Sequence, residues 1–167
     1  MATNNAVTTK WVWQNIDEVL AEAIVEFWLE ERALLDKTVA RSRVSEVILI
    51  AQDRNDKIVG VTTMQIKYSG ILENEFCFWR QFVAKSMRQS RLASVMGIEA
   101  YEILEHEFLK GNLRAKGLIV VVENPFMNDY LKAAILAAVP FVYFGNNANG
   151  QQMRVCYFKG AKVLENL

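Results

Sequence analysis

The stretch from Phe76 to Met96, FCFWRQFVAKSMRQSRLASVM, constrains the fold more than any other part of the chain. An apolar strand runs into a short basic turn, and the turn feeds directly into a helix. At such a junction several backbone N–H groups and the positive end of a helix dipole can point at one phosphate. Arg88 and Arg91 stand one helical turn apart, so both can flank a single anion. The alternative is a solvated basic helix start, in which the two cations oppose the helix dipole. No glycine occurs between Gly70 and Gly97, so the turn is built from residues that carry a β-carbon.

The chain has 167 residues, and the expectation is a single domain over residues 1–167 that buries roughly two-thirds of its unfolded surface. Nineteen basic and 19 acidic side chains cancel, which argues against an extended nucleic-acid surface. Cys77 and Cys156 fall inside predicted strands without metal-ligand spacing, and they read as buried free thiols in a reducing compartment. No apolar run approaches the ~18 residues of a membrane span, and MATNNAVTTK lacks the apolar core of a signal peptide. A cytoplasmic location, without metal, membrane or nucleic-acid partners, is the expectation.

Periodicity supplies the element order. Thr8–Trp13 alternates as a short strand, and Asn15 with Glu18 offers a capping box for a helix that runs to about Arg32. Val19, Leu20, Ala23, Ile24, Phe27 and Trp28 form its apolar stripe. Residues 33–45 read as an exposed turn or a short helix. Glu46–Gln52 and Lys57–Lys67 flank the polar turn 53–56 as an antiparallel hairpin. Tyr68–Asn74 is a loop, and Glu75–Ala84 is a strand with bulk on both faces. A helix from about Gln89 to Lys110 buries Leu92, Val95, Met96, Ile103 and Leu104, and Gly111 ends it. Gly117–Glu123 is an apolar strand, Asn128–Val139 an alanine-rich helix. Pro140–Gly145 and Gln152–Lys159 form a second hairpin around residues 146–150.

This order, and three local features within it, resemble the GNAT superfamily of N-acetyltransferases. Val83–Ala93, VAKSMRQSRLA, looks like the family's strand-end valine, short turn and R/Q-x-x-G-x-G/A pyrophosphate loop, with Arg91 where the family usually has glycine. Val121–Pro125, VVENP, is similar to the fifth strand followed by an asparagine. Pro140-Phe141 stands where the family often has a Gly-Phe pair. The likeness covers Thr8 to Lys159. It implies an α+β fold with a mixed, mostly antiparallel sheet, a splayed parallel pair of strands and helices on both faces. It further implies acetyl-CoA as co-substrate, its pantetheine added along the strand edge Gln81–Ala84, which includes Phe82 and Val83. The pyrophosphate would meet the loop Arg88, Gln89, Ser90, Arg91, Leu92 and Ala93, and Asn124 would offer its amide to the pantetheine. Arg91 leaves two outcomes open. With an ordinary φ, its N–H points inward and its guanidinium serves as a charge partner. If the loop demands a left-handed residue there, arginine costs about 1–2 kcal/mol.

Acyl transfer to an amine needs a base, oxyanion donors and an acid for the leaving thiolate. The resemblance places the base at Glu75 or Glu73 and the acid at Tyr130, with Tyr143 in reserve. Solvated loop carboxylates and half-buried tyrosines are the bland alternatives. His106, flanked by Glu105 and Glu107, reads as exposed, which speaks against a histidine triad or zinc site. Cys77 has no base within sequence reach, and Gly60 marks a bulge or a close backbone approach. The aromatic run Phe76, Phe78, Trp79, Phe82 suggests an apolar or aromatic acceptor or acyl group.

The leading functional expectation is therefore an acyl-CoA-dependent N-acyltransferase, acting on an amine of a small molecule or a protein. A GNAT-like module without catalysis and an acyl-homoserine lactone synthase-like enzyme are the alternatives. Residues 38–45 and 68–74, where acceptor specificity would reside, carry no readable code. The terminal hairpin, with Tyr157 and Phe158, offers an edge for a homodimer.

Overall fold

The computed structural model describes residues 7–125, 127 and 130–163. Seven strands form one sheet in the order β1-β2-β3-β4-β5-β7-β6. They are β1 (Thr8–Trp11), β2 (Val47–Gln52), β3 (Ile58–Ser69), β4 (Asn74–Val83), β5 (Gly117–Val121), β6 (Val142–Asn146) and β7 (Gln152–Tyr157). The helices are α1 (Glu18–Glu30), α2 (Lys37–Arg43) and α3 (Leu92–Leu109). Strands β4 and β5 run parallel, whereas the pairs β1–β2, β2–β3, β5–β7 and β6–β7 are antiparallel. The mixed α+β architecture expected from the sequence is thus the one observed. The chain divides into two compact units, Met1–Met64 with Gln81–Ala100, and Gln65–Arg80 with Tyr101–Leu167. Strands β3 and β4 and helix α3 each contribute residues to both.

In the first unit, α1 begins two residues later than the capping box suggests. Asp17, in extended backbone, accepts the Leu20 N–H at 2.8 Å and is the N-cap. Asn15 instead closes the turn after β1, its N–H donating to the Val12 carbonyl. The buried face of α1 is Ala21, Ile24, Val25, Phe27 and Trp28, while Val19 is 82% exposed. The uncertain segment before β2 forms α2, capped by Asp36, which accepts from Thr38 and Val39 N–H. Lys37 and Arg41 of α2 pair with Glu22 and Glu18 of α1. In the hairpin turn, Asp53 Oδ1 accepts the Asn55 and Lys57 N–H groups.

Strand β2 is buried on both faces, as its apolar run requires. Gly60 on β3 meets both expectations held for it. The β2–β3 register shifts beside it, and a Cβ there would lie 2.6 Å from Met96 Sδ. Its lack of a side chain lets α3 sit against the strand. Met96 and Ala100 of α3 are fully buried, but Val95 points outward at 51% exposure.

In the second unit, Phe76, Ile119 and Val155 form the centre of a core joined by Leu72, Phe78 and Phe144. Phe158 packs against Tyr101 and Phe108 of α3. Gly111 ends that helix with φ +81. The expected helix at 128–139 is not formed over residues 130–139; positions 128 and 129 lie outside the described residues. The chain there is irregular, a run of bends with one isolated bridge. Ile135 bridges Val142, and the Tyr143 N–H donates to the Ala134 carbonyl. The reason is Arg154, a buried cation on β7 at 1% exposure. Its guanidinium donates to the carbonyls of Leu131 and Ala133 and to Gln152 Oε1, and lies 5.9 Å from the centre of the Tyr143 ring. Carbonyls of a helix would be turned inward along its axis; here they are turned to neutralise a buried charge.

Candidate functional site

Strand β4 ends at Val83, which is nearly buried, and Ala84 anchors the chain to β3 through its N–H and the Val59 carbonyl (2.8 Å). A 3₁₀ turn, Lys85–Met87, follows. Its entry is held by Glu31, at the end of α1, whose Oε2 accepts the Lys85 N–H at 3.0 Å. Its exit is held by Ser90, whose N–H and hydroxyl both donate to the Met87 carbonyl, while its Oγ accepts the Leu92 N–H. Helix α3 then starts at Leu92.

The hydrogen bonds of this turn leave a pattern. Among the described residues, the backbone N–H groups of Gln89, Arg91, Ala93 and Ser94 have no protein acceptor. They are the donors that open a helix, and the first turn of α3 contains no acidic side chain to occupy them. Neither Arg88 nor Arg91 pairs with a carboxylate among the described residues. The Arg88 guanidinium lies 5.8 Å from the centre of the half-buried Phe82 ring, and that ring packs edge-on against Phe27 of α1. Open donors, the start of a helix and two guanidinium groups without a carboxylate partner thus fall within one stretch of chain, residues 88–94.

The backbone at Arg91 is ordinary. Positive φ among non-glycine residues occurs at Gln14, Arg32, Asp56 and Glu73, and not in the 84–93 turn. The turn therefore takes a shape that any L-residue adopts, and the missing glycine costs nothing in backbone strain.

The remaining sequence-derived positions stand as follows. Asn124 is exposed just beyond β5, its carbonyl accepting the Met127 N–H. Glu73, with φ +50, and Glu75 are exposed at the start of β4, and the Glu75 carbonyl accepts the Lys116 N–H. Tyr130 is 81% exposed, and Tyr143 is 44% exposed beside Arg154. His106 is exposed. Burial pushes the Cys77 thiol up to about 12, which makes it a poor nucleophile at neutral pH. Among the described residues no group of three His, Cys, Asp or Glu side chains could hold a metal ion.

One residue at the turn, Glu31, was not singled out from sequence, because a helix-ending glutamate is ordinary. Gln81, on the strand edge that the resemblance gives to the pantetheine, also leaves a signal of its own as an uncharged polar residue inside an apolar strand.

No protein-family model and no curated protein matches the chain. Solved structures do. A ribosomal-protein-S5-alanine acetyltransferase from Vibrio fischeri aligns with TM-score 0.63 at 13% identity, over 93% of this chain and 95% of its own. The GNAT family N-acetyltransferase YhbS from Escherichia coli, solved in complex with CoA, aligns with TM-score 0.60 at 10% identity, over 93% and 84%. A mutant of the AtaT toxin, bound to the C-terminus of the antitoxin AtaR and acetyl-CoA, aligns with TM-score 0.57 at 10% identity, over 98% and 100%. At these identities the likeness establishes the fold. The chain has the GNAT fold.

Proposed function

We propose that the protein is an acyl-CoA-dependent N-acyltransferase, with acetyl-CoA as the donor and an amine of a small molecule or protein as the acceptor. The observation that carries this reading is the turn before α3. The open N–H groups of Gln89, Arg91, Ala93 and Ser94, flanked by Arg88 and Arg91, suit the pyrophosphate of a coenzyme A thioester. The same fold holds CoA in the E. coli protein and acetyl-CoA in the toxin.

In the reaction, the free amine attacks the thioester carbonyl and forms an N–C bond. The tetrahedral oxyanion then collapses, the C–S bond breaks, and the thiolate takes a proton. The amine nitrogen gives up its proton, a task assigned to Glu75 or Glu73, and Tyr130 is assigned the protonation of the thiolate. Phe82 and Val83 lie on the strand edge assigned to the pantetheine, with Asn124 as a further amide contact. The protein is assigned to the cytoplasm, with a homodimer through the terminal hairpin.

Titration calorimetry with acetyl-CoA and with CoA tests the reading, followed by a free-thiol release assay with a panel of amines. Saturable binding with thiol release supports an enzyme. Binding without release for any amine would select the non-catalytic module. No binding of either ligand would overturn the coenzyme A assignment.

A further inference from the structure

Gln81 sits two residues before the end of β4, and its carboxamide joins two other elements. The Thr62 hydroxyl on β3 donates to Gln81 Oε1 (3.3 Å), and Gln81 Nε2 donates to the Ala93 carbonyl in the first turn of α3 (2.7 Å). The Ala93 carbonyl can only accept, so it fixes the N–H₂ end of the amide toward itself. Thr62 is fully buried, so its hydroxyl has no solvent to turn to and takes the oxygen end that remains. A carboxylate at this position would have no donor for that carbonyl.

The Ala93 carbonyl also belongs to the helix, where it accepts from the N–H four residues on. The bond from Gln81 is additional to that ladder. Losing it leaves the helix intact but releases its first turn from the sheet. That turn carries the open Ala93 and Ser94 N–H groups. From this arrangement we infer that Gln81 is a positioning residue: braced by Thr62, it holds the first turn of α3 so that the anion receptor is already formed before any ligand arrives. The inference rests on the coenzyme A reading for its ligand, though not for its geometry. Preformed donors avoid the ordering cost that a flexible loop incurs on binding, so the gain appears in donor affinity and not in the chemical step.

The test compares the full-length protein with Gln81→Glu, Gln81→Leu, Thr62→Val and Thr62→Ser. Two readouts are used: acetyl-CoA affinity by calorimetry with steady-state kinetics, and hydrogen exchange of the amides of residues 89–95 in the free protein. Expected in Gln81→Glu is about a tenfold rise in Kd and in the KM for acetyl-CoA, with kcat and the KM for the amine unchanged. Gln81→Leu and Thr62→Val should each give a severalfold rise, and Thr62→Ser, which keeps the hydroxyl, should match the parent protein. Exchange of the hydrogen-bonded amides in this range, Ser90, Leu92 and Val95, should quicken in the first three variants, while that of Met96–Leu104 stays slow. A merely structural role would lower stability without this split. Unchanged affinity and unchanged exchange in both Gln81 variants would overturn the inference, as would a fall in kcat at constant Kd. Should a Gln81 variant fail to fold, Thr62→Val decides by the same criteria. If the parent protein binds no acetyl-CoA, the functional reading fails, and the exchange of residues 89–95 still decides the role of Gln81.

Discussion

Replacing Arg91 by glycine, the residue usual in such loops of the family, should weaken acetyl-CoA binding. A hydrogen bond from an ionised group contributes about 1.5–3 kcal/mol when shielded. Arg91 is exposed, so solvent screening brings the loss of its guanidinium nearer to ~1 kcal/mol. Glycine adds a second loss. The turn does not use a positive φ at position 91, so glycine brings only extra backbone freedom, about 0.5–1 kcal/mol. Together these amount to roughly 1.5–2 kcal/mol, or a 10- to 30-fold higher Kd. Arg91→Ala isolates the charge and should cost about fivefold, while Arg91→Lys should keep most of the affinity. Calorimetry at 0.05 and 0.5 M salt separates the two contributions, because screening reduces the charge difference and leaves the backbone difference in place. Tighter binding in Arg91→Gly would refute the reasoning, for it would mean that the arginine obstructs the loop.

Three further outcomes follow from the packing. Gly117→Ala should abolish folding or cost well over 2 kcal/mol in chemical denaturation, since a Cβ there would lie 2.1 Å from the Cys156 carbonyl oxygen and 2.7 Å from Tyr157 Cα, backbone atoms that cannot yield. Arg154→Met should cost about 3 kcal/mol by leaving the Leu131 and Ala133 carbonyls without their donor, and limited proteolysis should then cut within residues 131–136. Burial raises the Cys77 and Cys156 thiols to about 12 and about 11, above the ordinary 9.0. The folded state thus keeps protons that the unfolded chain loses, so stability holds below pH ~9 and falls as pH rises toward 11–12, which a melting series checks.

The sequence disclosed most of the sheet because its signals are local. Val47–Ala51 and Gly117–Val121 are unbroken apolar runs, and Asp53 to Asp56 is a turn by composition alone. The helix start failed at Asn15 because Asp17, two residues on, caps equally well, and the chain path after β1, not the spacing, selects Asp17. The alanine-rich segment before Pro140 failed for a longer-range reason. Its helix propensity is real, but a buried guanidinium 21 and 23 residues downstream of Ala133 and Leu131 claims their carbonyls, and no local window contains that demand. At the candidate site, Arg88 and Arg91 were legible as unpaired cations at a helix start. The φ of Arg91, which decides whether glycine is needed, is a property of the folded turn.

With the loop geometry ordinary, the difference between an enzyme and a binding module shifts from the missing glycine to the proton acceptor. Glu73 and Glu75 are exposed at the start of β4, eight or more residues before Val83. An enzyme base and its absence leave distinct marks on the rate. An alkyl amine with a pKa near 10.4 is almost wholly protonated at pH 7. Without a protein base, kcat/KM for such an amine follows the free-amine fraction, rising tenfold per pH unit with no plateau below about pH 10. With Glu75 or Glu73 as base, the profile gains a second inflection, and Glu75→Gln or Glu73→Gln removes it while acetyl-CoA affinity is kept. The expected result is that one of the two variants loses 10²-fold or more in turnover, the lower range for general base catalysis. Full activity in the double variant would eliminate both carboxylates and leave proton removal to solvent, and the protein's selectivity would then reside in how it holds the two substrates together.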